Sequence, residues 1–292
     1  MTIWEAILLG IVQGLTEFLP ISSTAHLLVV RTLLGHAHPE DAFTVVIQLG
    51  TVLAVFIYFR ADVVRLARGL AIDWQHRRIG ATPDGRMAWL IVVGTVPAVL
   101  VGFVLKSWLK ATFFHLTSIA VVSIVFAVLM AMAEWWAARR QARGVPPRQE
   151  ADIGWLDAVW VGCWQALALM PGGSRSGTTI TGGLFAGLAR PAAARFSFLL
   201  SLLVILGAGA KELADEYTKF RSPKPGEPAS LFASGDEIIA LVVGTLVSAV
   251  VGYLAIAFLL NFLKRYSTVV FVVYRLVLGG AILVLLARGV LP

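Results

Sequence analysis

The sequence predicts an all-α polytopic membrane protein, built as an inverted-topology repeat in which each half is one re-entrant helical hairpin plus three transmembrane helices. Three observations predict it. Of the 292 residues 58% are hydrophobic and 14% charged, with a mean hydropathy of +0.83, whereas a water-soluble domain carries roughly 25% charged residues. Apolar blocks of roughly 17 to 23 residues alternate with short charged loops, the length a helix needs to cross a hydrocarbon core of about 30 Å. The alternation of a membrane β-barrel, in segments of about ten residues, is absent. Finally, VVGTVPAVLVGF from Val92 to Phe103 returns as VVGTLVSAVVGY from Val242 to Tyr253, an offset of 150 residues that marks an internal duplication.

The first unit, 3–34, is cut at Pro20 into pieces of about 12 to 16 residues, each too short to span alone. Backbone freed at membrane depth persists only where it is buried in protein or lines a wet cavity, so the unit reads as a re-entrant hairpin. Spans near 43–59, 87–105 and 117–137 complete the first repeat, 1–150. The second repeat, 151–292, has the same order within one integrated domain: a hairpin at 155–188 cut at Pro171-Gly172-Gly173, then spans near 191–210, 238–260 and 269–287. Gln13 aligns with Gln165, FTVVIQLG from Phe43 with FSFLLSLL from Phe196, and Thr117–Trp136 with Thr268–Leu286. A hairpin plus three spans crosses an odd number of times, so the second half must run inverted.

The charges give the orientation. One face receives the loop residues Arg60, Arg65, Arg68, Arg77, Arg78 and Arg86, then Arg139, Arg140, Arg143 and Arg148, then Arg190, Lys264 and Arg265. The other receives Lys106, Lys110, Arg288 and a 211–237 loop whose acids (Glu212, Asp215, Glu216, Glu227, Asp236, Glu237) outnumber its bases. The positive-inside rule makes the first face cytoplasmic, which puts both termini outside, the first hairpin entering from outside and the second from inside. This placement accounts for the net charge of +7 without nucleic acid. Cys163 is the only cysteine, which excludes an intramolecular disulfide and a multi-cysteine metal site. No Lys or Arg precedes Arg31, so the first segment lacks the basic start of a cleaved signal and is expected to stay. Gly94, Ala98 and Gly102, matched by Gly244, Ser248 and Gly252, form small-xxx-small stripes expected to pack the halves together. Trp135, Trp136 and Trp155 fit an interfacial aromatic belt.

Chemistry is expected in the two polar interruptions, Gln13–His26 and Gln165–Thr179. An ionised side chain at the bilayer centre costs about 2.5 to 3.5 kcal/mol or more, so Glu17, His26 and Arg175 mark a functional site. Gln13 and Glu17 are four apart on one helix face. Ser22, Ser23 and Thr24 suit the start of a helix, and His26 lies three residues past Ser23, so a hydroxyl and an imidazole can share a face. In the second interruption Gly172 and Gly173 free the backbone, Ser174 is placed to cap, and Arg175, Ser176, Gly177 and Thr178 open the next half-helix. If the hairpins meet, two helix N-termini and a guanidinium converge, which favours an anion and phosphate above all. Ser23 is then a candidate nucleophile, with Glu17 and His26 handling protons. Glu17 together with a substrate phosphate can also hold Mg²⁺, although the sequence has no dedicated metal cage. Gln13 and Gln165 equally suit helix-to-helix hydrogen bonds. Arg275, after Tyr274 in the last span, either snorkels, binds backbone carbonyls or reaches the site, and Gln48 is similarly open. Two functions fit so far: phosphoryl chemistry at Ser23, or transport of an anion, since inverted repeats with broken helices are a transporter architecture. The Ser23 and His26 pairing favours the first.

With these residues in view, the chain resembles the bacterial undecaprenyl-diphosphate phosphatase family, the bacitracin-resistance type, over nearly its whole length. The resemblance rests on QGLTEFLPISST from Gln13 to Thr24, with His26, and on PGGSRSG from Pro171 to Gly177. It implies hydrolysis of the lipid carrier diphosphate to the monophosphate and inorganic phosphate in the bacterial inner membrane, recycling the carrier for cell-wall synthesis; the transport alternative then becomes a flippase or transporter of polyprenyl phosphate or another anion. It implies Glu17, Ser23, His26 and Arg175 as the catalytic set, with Gln13, Ser22, Thr24, Ser174, Ser176, Gly177 and Thr178 against the diphosphate. The partners are then the lipid diphosphate and the membrane lipids; a homodimer and a requirement for Mg²⁺ or Ca²⁺, with Glu17 as metal ligand, stay open. Two positions depart from the family pattern: Gln13 stands where some members have Glu, and Ala25 where Gly is usual before the His.

Overall fold

The computed structural model describes residues 1–35, 42–222, 230–232 and 234–290; Glu227 and the side chains of Lys106 and Lys110 lie outside the described set. Among the described residues the chain forms twelve α-helices and no strand beyond a single bridge between Arg148 and Leu188. Helices α1 (Ile3–Phe18) and α2 (Ser23–Leu33) make up the first short pair. They are followed by α3 (Ala42–Val46), α4 (Gln48–Tyr58), α5 (Arg60–His76), α6 (Pro83–Phe113) and α7 (Leu116–Ala142). After a 3-10 turn at Glu150–Asp152 come the second short pair, α8 (Trp155–Leu167) and α9 (Arg175–Phe185), and then α10 (Arg190–Arg221), α11 (Gly235–Leu263) and α12 (Val269–Ala287). Five helices are long and apolar enough to cross a bilayer, or six if the α3–α4 segment and α5 count as one bent span. This is a multi-pass membrane protein.

Local sequence explains where the short helices start and stop. α1 opens on a capping box between Thr2 and Glu5, and it ends at Leu19, whose extended backbone (φ −66°, ψ 139°) is the conformation a residue before proline prefers. α2 and α9 begin on Ser22 and Ser174, whose hydroxyls accept from the N–H of Ala25 at 3.4 Å and of Gly177 at 3.2 Å. Both serines hold positive φ, 74° and 65°, which is uncommon for a residue with a side chain.

Glycine contacts join the short pairs to the long helices. α1 lies on α11 so closely that a Cβ at Gly10 would stand 2.6 Å from the Gly244 carbonyl oxygen, and one at Gly14 2.7 Å from that of Ser248. Likewise α8 meets α6 where Gly162 faces the Gly94 carbonyl. The two small-residue stripes thus do pack one half against the other, each receiving the first helix of the other half's short pair. Between them lies a core centred on Phe18, Phe59 and Phe198, with Phe18 and Phe198 edge-to-face at 5.3 Å.

Three segments differ from the sequence reading. The span expected at 43–59 is two helices broken at Ile47. The charged loop expected after it is helix α5, bent by 80° from its predecessor. Val63 and Leu66 of α5 pack on the core, and buried Asp73 accepts from the N–H of Gly80 at 2.6 Å and Ala81 at 2.9 Å and from Trp89 Nε1 at 2.9 Å. A single carboxylate therefore holds the turn into α6. The loop expected from 211 is the end of α10, carried to Arg221 by a Lys211–Asp215 ion pair four apart and a Lys219–Glu216 pair three apart. Trp135, Trp136 and Trp155 are exposed, as a belt position requires.

The glycine contacts set a stability test. Gly14→Leu must push α1 off α11, and overpacking of this kind costs about 1–3 kcal/mol or more. The thermal unfolding midpoint in detergent is expected to fall, while Gly207→Ala on α10, with open space at its Cα, leaves it unchanged; equal midpoints for all three proteins contradict the close packing.

Candidate active site

The two interruptions meet at a carboxylate. Glu17, in the last turn of α1, accepts from Arg175 Nη2 at 2.7 Å through one oxygen, and from Ser23 Oγ at 2.9 Å and Gln13 Nε2 at 3.1 Å through the other. Both charged side chains are nearly buried, Glu17 at 8% and Arg175 at 12% exposure. Helical spacing places Gln13 over Glu17, and the turn at Leu19–Ser22 returns Ser23 to the same carboxylate. A second tie crosses between the segments, from Ser176 Oγ to the Leu19 carbonyl at 3.2 Å.

Around this pair, hydrogen-bond donors are left over. Arg175 Nη1 is buried without a partner. Arg275 is fully buried; its Nη2 donates to the carbonyls of Gly172 at 2.9 Å and Gly173 at 3.0 Å, while Nε and Nη1 have no partner, and Nη1 lies against Gly177. A Cβ at Gly177 would stand 2.7 Å from that nitrogen, so glycine is what lets the guanidinium reach the start of α9. With φ of 95° at Gly172, the chain presents these carbonyls to Arg275. Unpaired buried donors are costly, and Arg175 Nη1 at the start of α9 and Arg275 Nη1 against Gly177 in the same helical turn are such donors, an arrangement that suits an anion.

His26 forms the edge of the cluster. Its Nδ1 sits 2.7 Å from the Ser22 carbonyl, which can only accept, so Nδ1 carries a proton; Nε2 sits 2.7 Å from the Tyr274 hydroxyl, and the two rings stack at 5.6 Å. Ser23 is therefore bonded to Glu17 and not to His26, although the sequence put the hydroxyl and the imidazole on one face. Tyr274 is 43% exposed, so this edge of the site reaches the surface of the chain.

These motifs belong to a known family. Residues 6–281 match the family model described as "Bacitracin resistance protein BacA". The chain belongs to the BacA family. Among its relatives, a protein of Prosthecochloris aestuarii is 45% identical over 289 residues, 99% of each chain, and one of Chlorobium phaeobacteroides is 46% identical over 291 residues, 100% of this chain and 99% of the other. A third, of Chlorobium limicola, is 44% identical over 292 residues, 100% of this chain and 99% of the relative. All three carry the name undecaprenyl-diphosphatase.

Within this BacA-family chain the remaining sequence-predicted residues sort by what they touch. Ser22 and Ser174 are the two helix caps. Thr178 Oγ1 donates to the Arg175 carbonyl at 3.0 Å and so braces the first turn of α9. Thr24 is half-buried on α2, next to Ser23. Gln165 is buried with neither amide atom bonded, and Gln48 takes no part in the cluster's hydrogen bonds. Tyr274 is the contact sequence reasoning missed; its signal was an aromatic hydroxyl beside an arginine inside an apolar span. For a metal, no three His, Cys, Asp or Glu side chains converge among the described residues. Gln13 Oε1 is left without a partner, while the Glu17 oxygens already take Arg175, Ser23 and Gln13 Nε2, so a hard cation at Glu17 would have to displace one of those donors.

A double-mutant cycle tests the central pair. Removing one member of a buried ion pair costs about 3–5 kcal/mol because the other charge is left alone. Glu17→Gln and Arg175→Gln are each expected to lower resistance to denaturant, and the double variant to lose clearly less than the sum; additive losses would show that the two side chains do not interact.

Proposed function

We propose that this chain hydrolyses undecaprenyl diphosphate to undecaprenyl phosphate and inorganic phosphate, the activity its relatives' name describes. The observation that carries the residue assignment is the hydrogen bond from Ser23 Oγ to Glu17, whose carboxylate is also paired to an arginine with a free donor. In this reading the diphosphate enters past His26 and Tyr274, and Arg175 Nη1, Arg275 Nη1 and the N-termini of α2 and α9 take its oxygens. As Arg175 turns to the phosphate, Glu17 is freed to accept the Ser23 proton. Ser23 Oγ attacks the terminal phosphorus, the anhydride P–O bond breaks, and the lipid monophosphate leaves. Water then attacks the phosphoserine, giving its proton to His26 Nε2, and Glu17 returns its proton to Ser23 as the ester bond breaks. Stabilisation comes mainly from positioned donors around the transferring group. A Mg²⁺ or Ca²⁺ held by Glu17 and Gln13 Oε1 with the substrate would add neutralisation of phosphate charge. A nucleophile paired to a base is not something anion carriage requires, so no observation favours the transporter reading.

Loss of one preorganised donor costs about 10²–10³ in rate. Arg175→Ala and Ser23→Ala are each expected to lower phosphate release from a polyprenyl diphosphate in detergent by at least about that factor. Near-normal release from Ser23→Ala would transfer the attack to water, and near-normal release from Arg175→Ala would remove the arginine from the site.

The same reading takes the two halves as an inverted-topology repeat with two re-entrant hairpins. What supports it is a set of exchanged contacts: Gly10 meets Gly244 as Gly162 meets Gly94, and Ser22 caps α2 as Ser174 caps α9. With the Arg139–Arg148 and Lys264–Arg265 face inside, both termini lie outside. Because Cys163 is the sole cysteine, a Cys163→Ala background allows a direct check with a membrane-impermeant maleimide on intact spheroplasts. Label is expected on Asp236→Cys and not on Arg143→Cys; the opposite pattern reverses the orientation.

A further inference from the structure

A second cluster of cations lies apart from Glu17 and Arg175, where the ends of α7, α10 and α11 meet. It lines a cavity of about 140 Å³ with Arg140, Arg190 and Lys264 on its walls and no Asp or Glu among the lining residues. Arg190 is fixed in place: buried Glu134 takes its Nε at 2.9 Å and Nη2 at 2.6 Å, and the same carboxylate accepts from the N–H and hydroxyl of Thr268, both at 2.8 Å. That leaves Nη1 of Arg190 outside the pair. Among the described residues Arg140 and Lys264 have no side-chain partner, so the lining carries two uncompensated positive charges.

The backbone adds to them. α10 starts beside the cavity at Ala189, which offers no side-chain cap, so the positive end of a 32-residue helix dipole lies at this wall. Gly187, at φ 83°, lets the Arg140 guanidinium lie directly over its Cα, where any side chain would overlap it. Pro146, Pro147 and Pro191 give the walls little freedom. A snorkelling role alone accounts for Lys264 at the end of α11, but not for a bidentate-anchored arginine and a second, unpaired arginine on the walls of the same cavity.

We propose that this cavity is a phosphate-binding site, distinct from the active site, that takes the phosphate of an anionic lipid headgroup or free phosphate from the face carrying Arg139, Arg140 and Arg143. Basic pockets between membrane helices bind such headgroups, and this one presents the Arg140 guanidinium, Arg190 Nη1 and the Lys264 ammonium.

The test uses the full chain in micelles of an alkyl maltoside, a detergent without phosphate. Phosphatidic acid or inorganic phosphate is titrated in, and the thermal unfolding midpoint is read for the unmodified protein, for Arg140→Gln/Lys264→Gln, and for Arg143→Gln/Arg265→Gln as a control of equal charge loss outside the cavity. Phosphatidic acid is expected to raise the midpoint of the unmodified and control proteins, with roughly thirty-fold weaker apparent affinity in the cavity variant. A response to inorganic phosphate of the same size, lost in the same variant, assigns the site to free phosphate. Equal responses of the cavity variant and the unmodified protein to both probes overturn the proposal, as does an equal loss in the control. Phosphate release from the diphosphate without added lipid, expected to be unchanged in the cavity variant, shows that this variant is folded.

Discussion

The Glu17–Arg175 ion pair is the constraint on which the rest of the site depends. Its members come from chain segments 158 residues apart, and each would be strongly unfavourable in a dry interior without the other. Because the carboxylate is fixed by the guanidinium, it can also hold Ser23 and Gln13, and because the guanidinium is fixed by the carboxylate, its second nitrogen stays aimed and unpartnered. The pair thus has a structural effect, closing one interruption on the other, and a chemical one, keeping a hydroxyl and a cation side by side.

Holding that pair requires the two short helices to approach the long ones closely. Glycines at 10, 14 and 162 remove the side chains that would keep α1 from α11 and α8 from α6. At one end of the bundle Glu134 ties α7 to α10 and to the start of α12, and at the junction of the halves Arg148 grips Asp157 with both nitrogens, at 2.9 and 2.6 Å. Ion pairs at the rim of the bundle therefore fix where the helices stand, and the small-residue contacts fix how near they come. Arg275 is positioned as a result: α12 is held at Thr268, and its arginine reaches the carbonyls of Gly172 and Gly173 seven residues on.

Much of this was legible in the sequence because a bilayer admits few solutions. Length and apolarity set the starts of the long helices within a few residues, though α6 and α10 run on to Phe113 and Arg221, well past the ends expected at 105 and 210; Pro20 and Pro171-Gly172-Gly173 set the breaks, and the cost of ionised groups in apolar sequence singled out Glu17, His26 and Arg175. Where the reading failed, at α5 and the end of α10, charge was taken as loop. Charged residues in a helix that lies along a rim, bent away from the spans, satisfy the same positive-inside pattern as a loop does.

The sequence by itself determined the membrane class, the paired interruptions and the types of group that meet in them, because each follows from one-dimensional properties: length, hydropathy, and where helix-breaking residues fall. Only the tertiary structure decided who bonds to whom. It gave Ser23 to Glu17 and His26 to Tyr274, and it brought Arg275 to the glycine turn. Those choices depend on angles between helices separated by up to 248 residues, and an angle of that kind is fixed by packing against third elements, which no local pattern encodes.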